Sequence, residues 1–152
     1  MTALRILVDA DACPVKGEVY RVAERYGVAV SIVANAPIRV PPLPLVERVI
    51  VDAGFDAADD WIAERAGAAT IIVTADILLA DRCVKAGATV IAHNGRPFTA
   101  GSIGQAVAQR ALLADLRAME VVSGGPPPFA GADRSRFLSA LDEAVNRLRR
   151  QR

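Results

Sequence analysis

The sequence predicts a doubly wound α/β domain built on a parallel sheet, and two observations carry that expectation. Short apolar runs alternate with segments of helical periodicity. The apolar runs are continuous and do not alternate with polar residues, as expected of strands buried on both faces. Two of them, RILV at 5–8 and TIIVT at 70–74, also lead straight into acidic residues.

Taken in order, Arg5–Val8 reads as the first strand, followed by Asp9 and Asp11. Pro14 suits a first helical turn, and Val15, Val19, Val22 and Tyr26 then recur at helical spacing. Gly27 closes that helix as the residue after its cap. Val28–Val33 is the second strand. Asn35–Pro44, NAPIRVPPLP, holds four prolines that neither helix nor strand accommodates. A stiff loop is expected there, as a plain connector or as the rim of a site. Glu47–Val51 is the third strand. Asp56–Ala66 reads as a short helix with an acidic first turn, ended by Gly67. Thr70–Thr74 is the fourth strand, Ile77–Ala86 a helix closed by Gly87, and Thr89–Ala92 the fifth strand, with a turn at Asn94–Gly95. The remainder reads as two helices, Ser102–Glu120 and Arg134–Arg150, joined by a rigid turn at Gly124–Gly131. In the second helix Phe137, Leu138, Leu141, Ala144, Val145 and Leu148 form an apolar stripe. The pair is expected to pack on the α/β body, giving one domain over residues 1–152, with its body at about 1–100 and its helical part at about 101–152.

Composition narrows the function. A chain of 152 residues, 53% hydrophobic, buries a real core and is not disordered. No apolar run approaches the roughly 20 residues a bilayer span needs, and no signal peptide is recognisable, so a cytoplasmic location is expected. With 18 basic and 17 acidic residues, net charge +1 gives no global nucleic-acid footprint. The arginines at 147, 149, 150 and 152 read as a solvated helix end. Cys13 and Cys83 lack metal-type spacing and are expected as free thiols.

The acids carry the chemistry. In open α/β sheets, ligands bind at the carboxyl ends of the strands. If the first and fourth strands are central and parallel, Asp9, Asp11 and Asp76 share that edge. In the middle segment, Asp56 shares a helical face with Asp59 or with Asp60, and the sequence leaves open which of the two faces the site. Asp56 can also be read as a plain helix cap. Crowded carboxylates raise one another's pKa unless a cation neutralises them. An all-oxygen set suits Mg2+ or Mn2+ better than zinc, and such an ion activates water for attack on a phosphodiester. The metal candidates are Asp9, Asp11, Asp56, Asp59 and Asp76, with Asp9, Asp56 and Asp76 as the catalytic acids. Lys16 and Arg134 are candidate phosphate binders beside these motifs. Thr74 is a candidate for substrate contact or for support from behind. His93, the single histidine, reads more readily as a structural hydrogen-bonder than as a catalyst.

The ordered segments DADACP (Asp9–Pro14), DAADDWI (Asp56–Ile62), VTADILLA (Val73–Ala80), GGPPPF (Gly124–Phe129) and DRSRFL (Asp133–Leu138) resemble the bacterial YaiI/YqxD family over nearly the whole chain. That family is similar in turn to PIN-like and NYN-like domains, which are metal-dependent ribonucleases. The resemblance implies a PIN-like, Rossmann-like three-layer domain with acids at the carboxyl edge of its sheet. On it, Asp9 matches the acid after the first strand, Asp76 the acid after the fourth, and Asp56, Asp59 or Asp60 the middle acids. Asp11 is an addition to the PIN pattern, and no strong basic patch accompanies it. The expected function is a divalent-metal-dependent nuclease, with RNA expected as the partner ahead of DNA. Two alternatives stand: a non-catalytic nucleotide- or RNA-binding module, and an aspartate-nucleophile phosphatase using Asp9-x-Asp11, Thr74 and Lys85. The phosphatase pattern is broken by Cys13, where a threonine is expected.

Overall fold

A computed structural model describes residues 3–54, 56–120 and 128–151. Its centre is a six-stranded sheet made of β1 (Arg5–Asp9), β2 (Ala29–Ala34), β3 (Val46–Ile50), β4 (Thr70–Val73), β5 (Thr89–Ile91) and β6 (Pro97–Phe98). The strand order is β3-β2-β1-β4-β5-β6, and only β6 runs antiparallel to its neighbour. The helices are α1 (Lys16–Tyr26), α2 (Ala57–Arg65), α3 (Ile77–Lys85), α4 (Ile103–Ala118) and α5 (Gly131–Arg150). The result is a three-layer α/β fold with C-terminal helices, as the sequence predicts.

Continuous apolar strands need cover on both faces, and they have it. Ile6, Val8, Ile32, Ile71 and Val73 pack with Val19 and Val22 of α1 and with Phe137, Leu141 and Val145 of α5. Leu7, Val33, Ile72 and Val90 point the other way, onto Ile62 of α2, Leu79 and Cys83 of α3, and Ile103 of α4. This two-residue alternation along each strand fixes the orientation of everything at the strand ends. Gly27 adopts φ 66, the left-handed conformation that lets α1 stop and β2 begin.

The chain lays β1, β2 and β3 down in one direction, then returns to place β4 on the other side of β1. The strand order therefore reverses between β1 and β4, the place where such sheets open a ligand crevice.

Several details depart from expectation. β3 is an edge strand with Glu47, Arg48 and Ile50 exposed, so only Val46 of it is fully buried. The short strand β6 has no sequence signal, because two residues carry no periodicity. α5 begins three residues early, at Gly131, since Asp133 accepts from the Ala130 N–H and organises the first turn. The rest of the expected turn falls largely on residues 121–127, outside the described residues. α4 leans on α3 through Ile103 and Val107, while Leu112 and Leu113 stay exposed. No helix among the described residues is long and apolar enough to cross a membrane.

Candidate active site

Asp9 is the last residue of β1 and lies on the α2–α3 face, two residues after Leu7. Only 9% of it is exposed. The neighbouring strand β4 ends at Val73, opposite Val8, so Thr74 arrives beside Asp9. The fully buried Thr74 hydroxyl donates to Asp9 Oδ2 at 2.9 Å. Its oxygen in turn accepts from the Asp76 backbone N–H at 3.0 Å. One hydroxyl thus bridges the two strand ends at the point of reversal.

Burial pushes the Asp9 carboxyl up from its ordinary 3.8, and the Thr74 hydrogen bond pulls part of the way back. Asp11 and Asp76 add further upward pressure as nearby like charges.

Asp76 caps α3. Its Oδ1 accepts from the N–H groups of Leu78 at 2.9 Å and Leu79 at 3.2 Å. Asp59, on the first turn of α2, completes the crowded group. Its pKa is raised to about 6, first by burial and then by Asp76, Asp9 and Asp56. The neighbouring Asp60 points away and pairs with Arg82 of α3 at 2.8 Å. Of the two adjacent acids, it is therefore Asp59 that faces the cleft. Asp56 precedes α2 with φ 64 and makes no side-chain cap bond, so it does not act as a plain cap.

These acids open onto a cleft of about 810 Å³ whose lining includes Asp9, Asp11, Asp56, Asp59, Asp76 and His93. Asn35, Pro37 and Ile38 form another part of its wall. The proline-rich loop is therefore a rim, seated on the core through Ile38, Val40 and Leu43.

The remaining candidates sit elsewhere or behind. Thr74 has no exposed surface and supports Asp9 from beneath. Lys16 Nζ donates to the Cys13 carbonyl at 3.2 Å. Arg134 is engaged with Glu18 and the Pro14 carbonyl, tying α5 to the start of α1. Lys85 pairs with Asp81 at 3.0 Å, at the opposite end of α3 from Asp76. Both cysteines are buried free thiols whose pKa is pushed up mainly by burial.

The sequence gives His93 no signal beyond its place after a strand. Its Nε2 is buried with no hydrogen-bond partner among the described residues. Burial, then the charge of Lys16, holds its pKa below 6.5, so the ring is neutral at pH 7.

The all-carboxylate donor set fits a hard divalent cation. Among the described residues no three such side chains are gathered into a ready-made metal cluster.

A three-layer α/β protein with an acidic cleft at its sheet's point of strand reversal is the class that fold and site define. The chain belongs to the YaiI/YqxD family, whose profile, described as "Uncharacterized BCR, YaiI/YqxD family", matches residues 7–147. Among its relatives, a UPF0178 protein of Nitrobacter winogradskyi is 64% identical over 150 residues, covering 99% of this chain and 96% of that one. One from Sphingopyxis alaskensis is 65% identical over 151 residues, covering 99% and 98%. UPF0178 protein bll3966 of Bradyrhizobium diazoefficiens is 61% identical over 151 residues, covering 99% and 90%. No solved structure matches the chain.

Proposed function

We propose that this protein is a divalent-metal-dependent nuclease that hydrolyses phosphodiesters, with RNA as its substrate. One observation carries the proposal: Asp9, Asp59 and Asp76 line one cleft at the strand reversal, where burial first and then the neighbouring carboxylates raise the Asp59 pKa to about 6. A bound cation relieves that repulsion, and it is the partner such a cluster lacks. Asp9, Asp59 and Asp76 would hold Mg2+ or Mn2+, with Asp11 and Asp56 at the cleft wall. When bound, the ion supplies charge neutralisation and an activated water.

The protein's own groups prepare the site. Thr74 fixes Asp9, and the α3 N-terminus fixes Asp76, so two of the acids are oriented before any ligand arrives. Neutral His93 lines the same cleft wall and adds no positive charge to it. The resemblance to PIN-like ribonucleases supports the same chemistry. The phosphatase alternative loses support because Lys85 is held by Asp81 away from the acids.

The test is a Mn2+ titration of wild type and Asp9→Asn by calorimetry, with the length of an end-labelled single-stranded RNA followed in parallel. Binding heat and RNA shortening in wild type, both lost in Asp9→Asn, are expected. Heat without shortening would retain the metal and discard the nuclease. No heat in wild type would discard both and favour the non-catalytic binding module.

A further inference from the structure

Beside the acidic cleft lies a second hollow, of about 430 Å³, with a different chemical lining. Its walls are the turn from Asn94 to Pro97 together with Asp133 and Arg136 of α5. His93 lines the acidic cleft and Asn94 lines this hollow, so the two meet across a single peptide link.

The turn is rigid. Asn94 Oδ1 accepts from the Arg96 N–H at 3.0 Å, the Gly95 N–H donates to the Ala92 carbonyl at 2.9 Å, and the Ala92 N–H donates to the Arg96 carbonyl at 2.9 Å. Gly95 has φ +87, and a Cβ there would stand 2.7 Å from the Arg136 carbonyl group. Turn and helix therefore meet backbone to backbone, and Arg96 and Arg136 are carried on one fixed seat.

Both arginines are exposed. Among the described residues Arg96 has no carboxylate partner, and Arg136 has only Asp133, in an exposed pair at 2.9 Å. Water screens such a pair, leaving the guanidinium free to take a stronger acceptor. Arg134, two residues earlier, is held through Nη1 by the buried Glu18 and the Pro14 carbonyl and does not line this hollow.

A polyanion entering the acidic cleft is repelled by the acids that line it. A net charge of +1 supplies no general attraction to offset this. Affinity must come from cations placed locally, and a forked guanidinium pair matches a phosphate group.

We propose that Arg96 and Arg136 form a phosphate-binding subsite for the backbone of a nucleic-acid strand whose reacting phosphodiester occupies the acidic cleft. The inference rests on the nuclease reading and deepens it: part of the strand's backbone is held outside the acidic cleft, in a hollow that a small phosphate ester in the cleft does not reach.

Fluorescence anisotropy in chelator-containing buffer, with a labelled single-stranded RNA of about 12 nucleotides and a labelled dinucleotide, tests it. Wild type should bind the longer strand more tightly, with affinity falling as salt rises. Arg96→Ala/Arg136→Ala should weaken that binding about tenfold and flatten the salt dependence by about 0.7 in slope for each phosphate no longer neutralised. Arg110→Ala, on α4 outside both hollows, should change neither. Thermal melts of each variant confirm folding. Equal binding of the two RNAs by wild type, no binding of either, or a double variant indistinguishable from wild type would overturn the subsite. The nuclease reading is judged separately, by Mn2+-dependent hydrolysis of the dinucleotide by wild type, which does not require the arginine hollow.

Discussion

Glu18 and Asp9 are buried to similar degrees, 7% and 9% exposed, on opposite sides of the sheet. Glu18 faces α5 and is met by the Arg134 guanidinium. Nearby, Asp142 accepts from Arg25, the Tyr26 hydroxyl and Asn146. Each of these two acids has a cation or a set of donors supplied by the chain. Asp9 has one hydroxyl and a long hydrogen bond from the Asp11 N–H at 3.4 Å, with further acids around it. Acids that hold the fold together are compensated within it. In the cleft Asp76 has the N–H donors of α3, but Asp9 and Asp59 are left short of positive charge, which is why the missing partner is sought outside the chain.

Substitutions on the two sides should then act with opposite sign. Arg134→Met strands a buried carboxylate and should destabilise the protein by about 1–3 kcal/mol, read as a lower midpoint in urea. A neutral result would mean that Glu18 finds water or another donor, and the contrast would weaken. Asp59→Asn should do the reverse. Asp59 titrates near 6 in the folded chain against an ordinary 3.8, so between these values the folded state keeps a proton that the unfolded chain has released. Stability therefore falls as pH rises through that window, and the full penalty applies above about 6. In metal-free buffer at about pH 7.5, Asp59→Asn should melt higher than wild type, by about 2–4 °C for each kcal/mol relieved. The advantage should disappear towards about pH 4, where both side chains are neutral in the folded state. A variant melting lower at both pH values would show that Asp59 is a structural acid after all. Asp60→Asn removes an exposed pair with Arg82 and should cost only about 0.2–1 kcal/mol, read as a small drop in the urea midpoint.

How legible the site is in sequence depends on what positions each residue. Asp9 and Asp76 are legible because each follows an apolar run, and a strand's end is a local property. Gly27 and Gly87 are legible for the same reason, as the places where a helix must turn back. Asp59 and Asp60 are not, because adjacent helical residues differ only in phase, and phase is set by packing of Ile62 against the sheet. The same holds for Arg134 and Arg136, which sit on one helix and face different neighbours. β6 escapes because a two-residue strand is defined by its partner, β5. The edge position of β3 depends on strand order, which a run of apolar residues does not encode.

The Thr74 hydroxyl has a consequence for where protons can reside. It carries one hydrogen, and the Asp76 N–H already occupies one of its lone pairs. The arrangement that leaves no donor idle points that hydrogen at Asp9 Oδ2. When Asp9 takes up a proton, as its raised pKa favours, Oδ1 is the better seat, since it holds only the long contact from the Asp11 N–H at 3.4 Å. The two oxygens of one carboxylate thereby acquire different trades: Oδ2 anchors, and Oδ1 exchanges. A symmetric group has been given a front and a back by a neighbour that never leaves the interior.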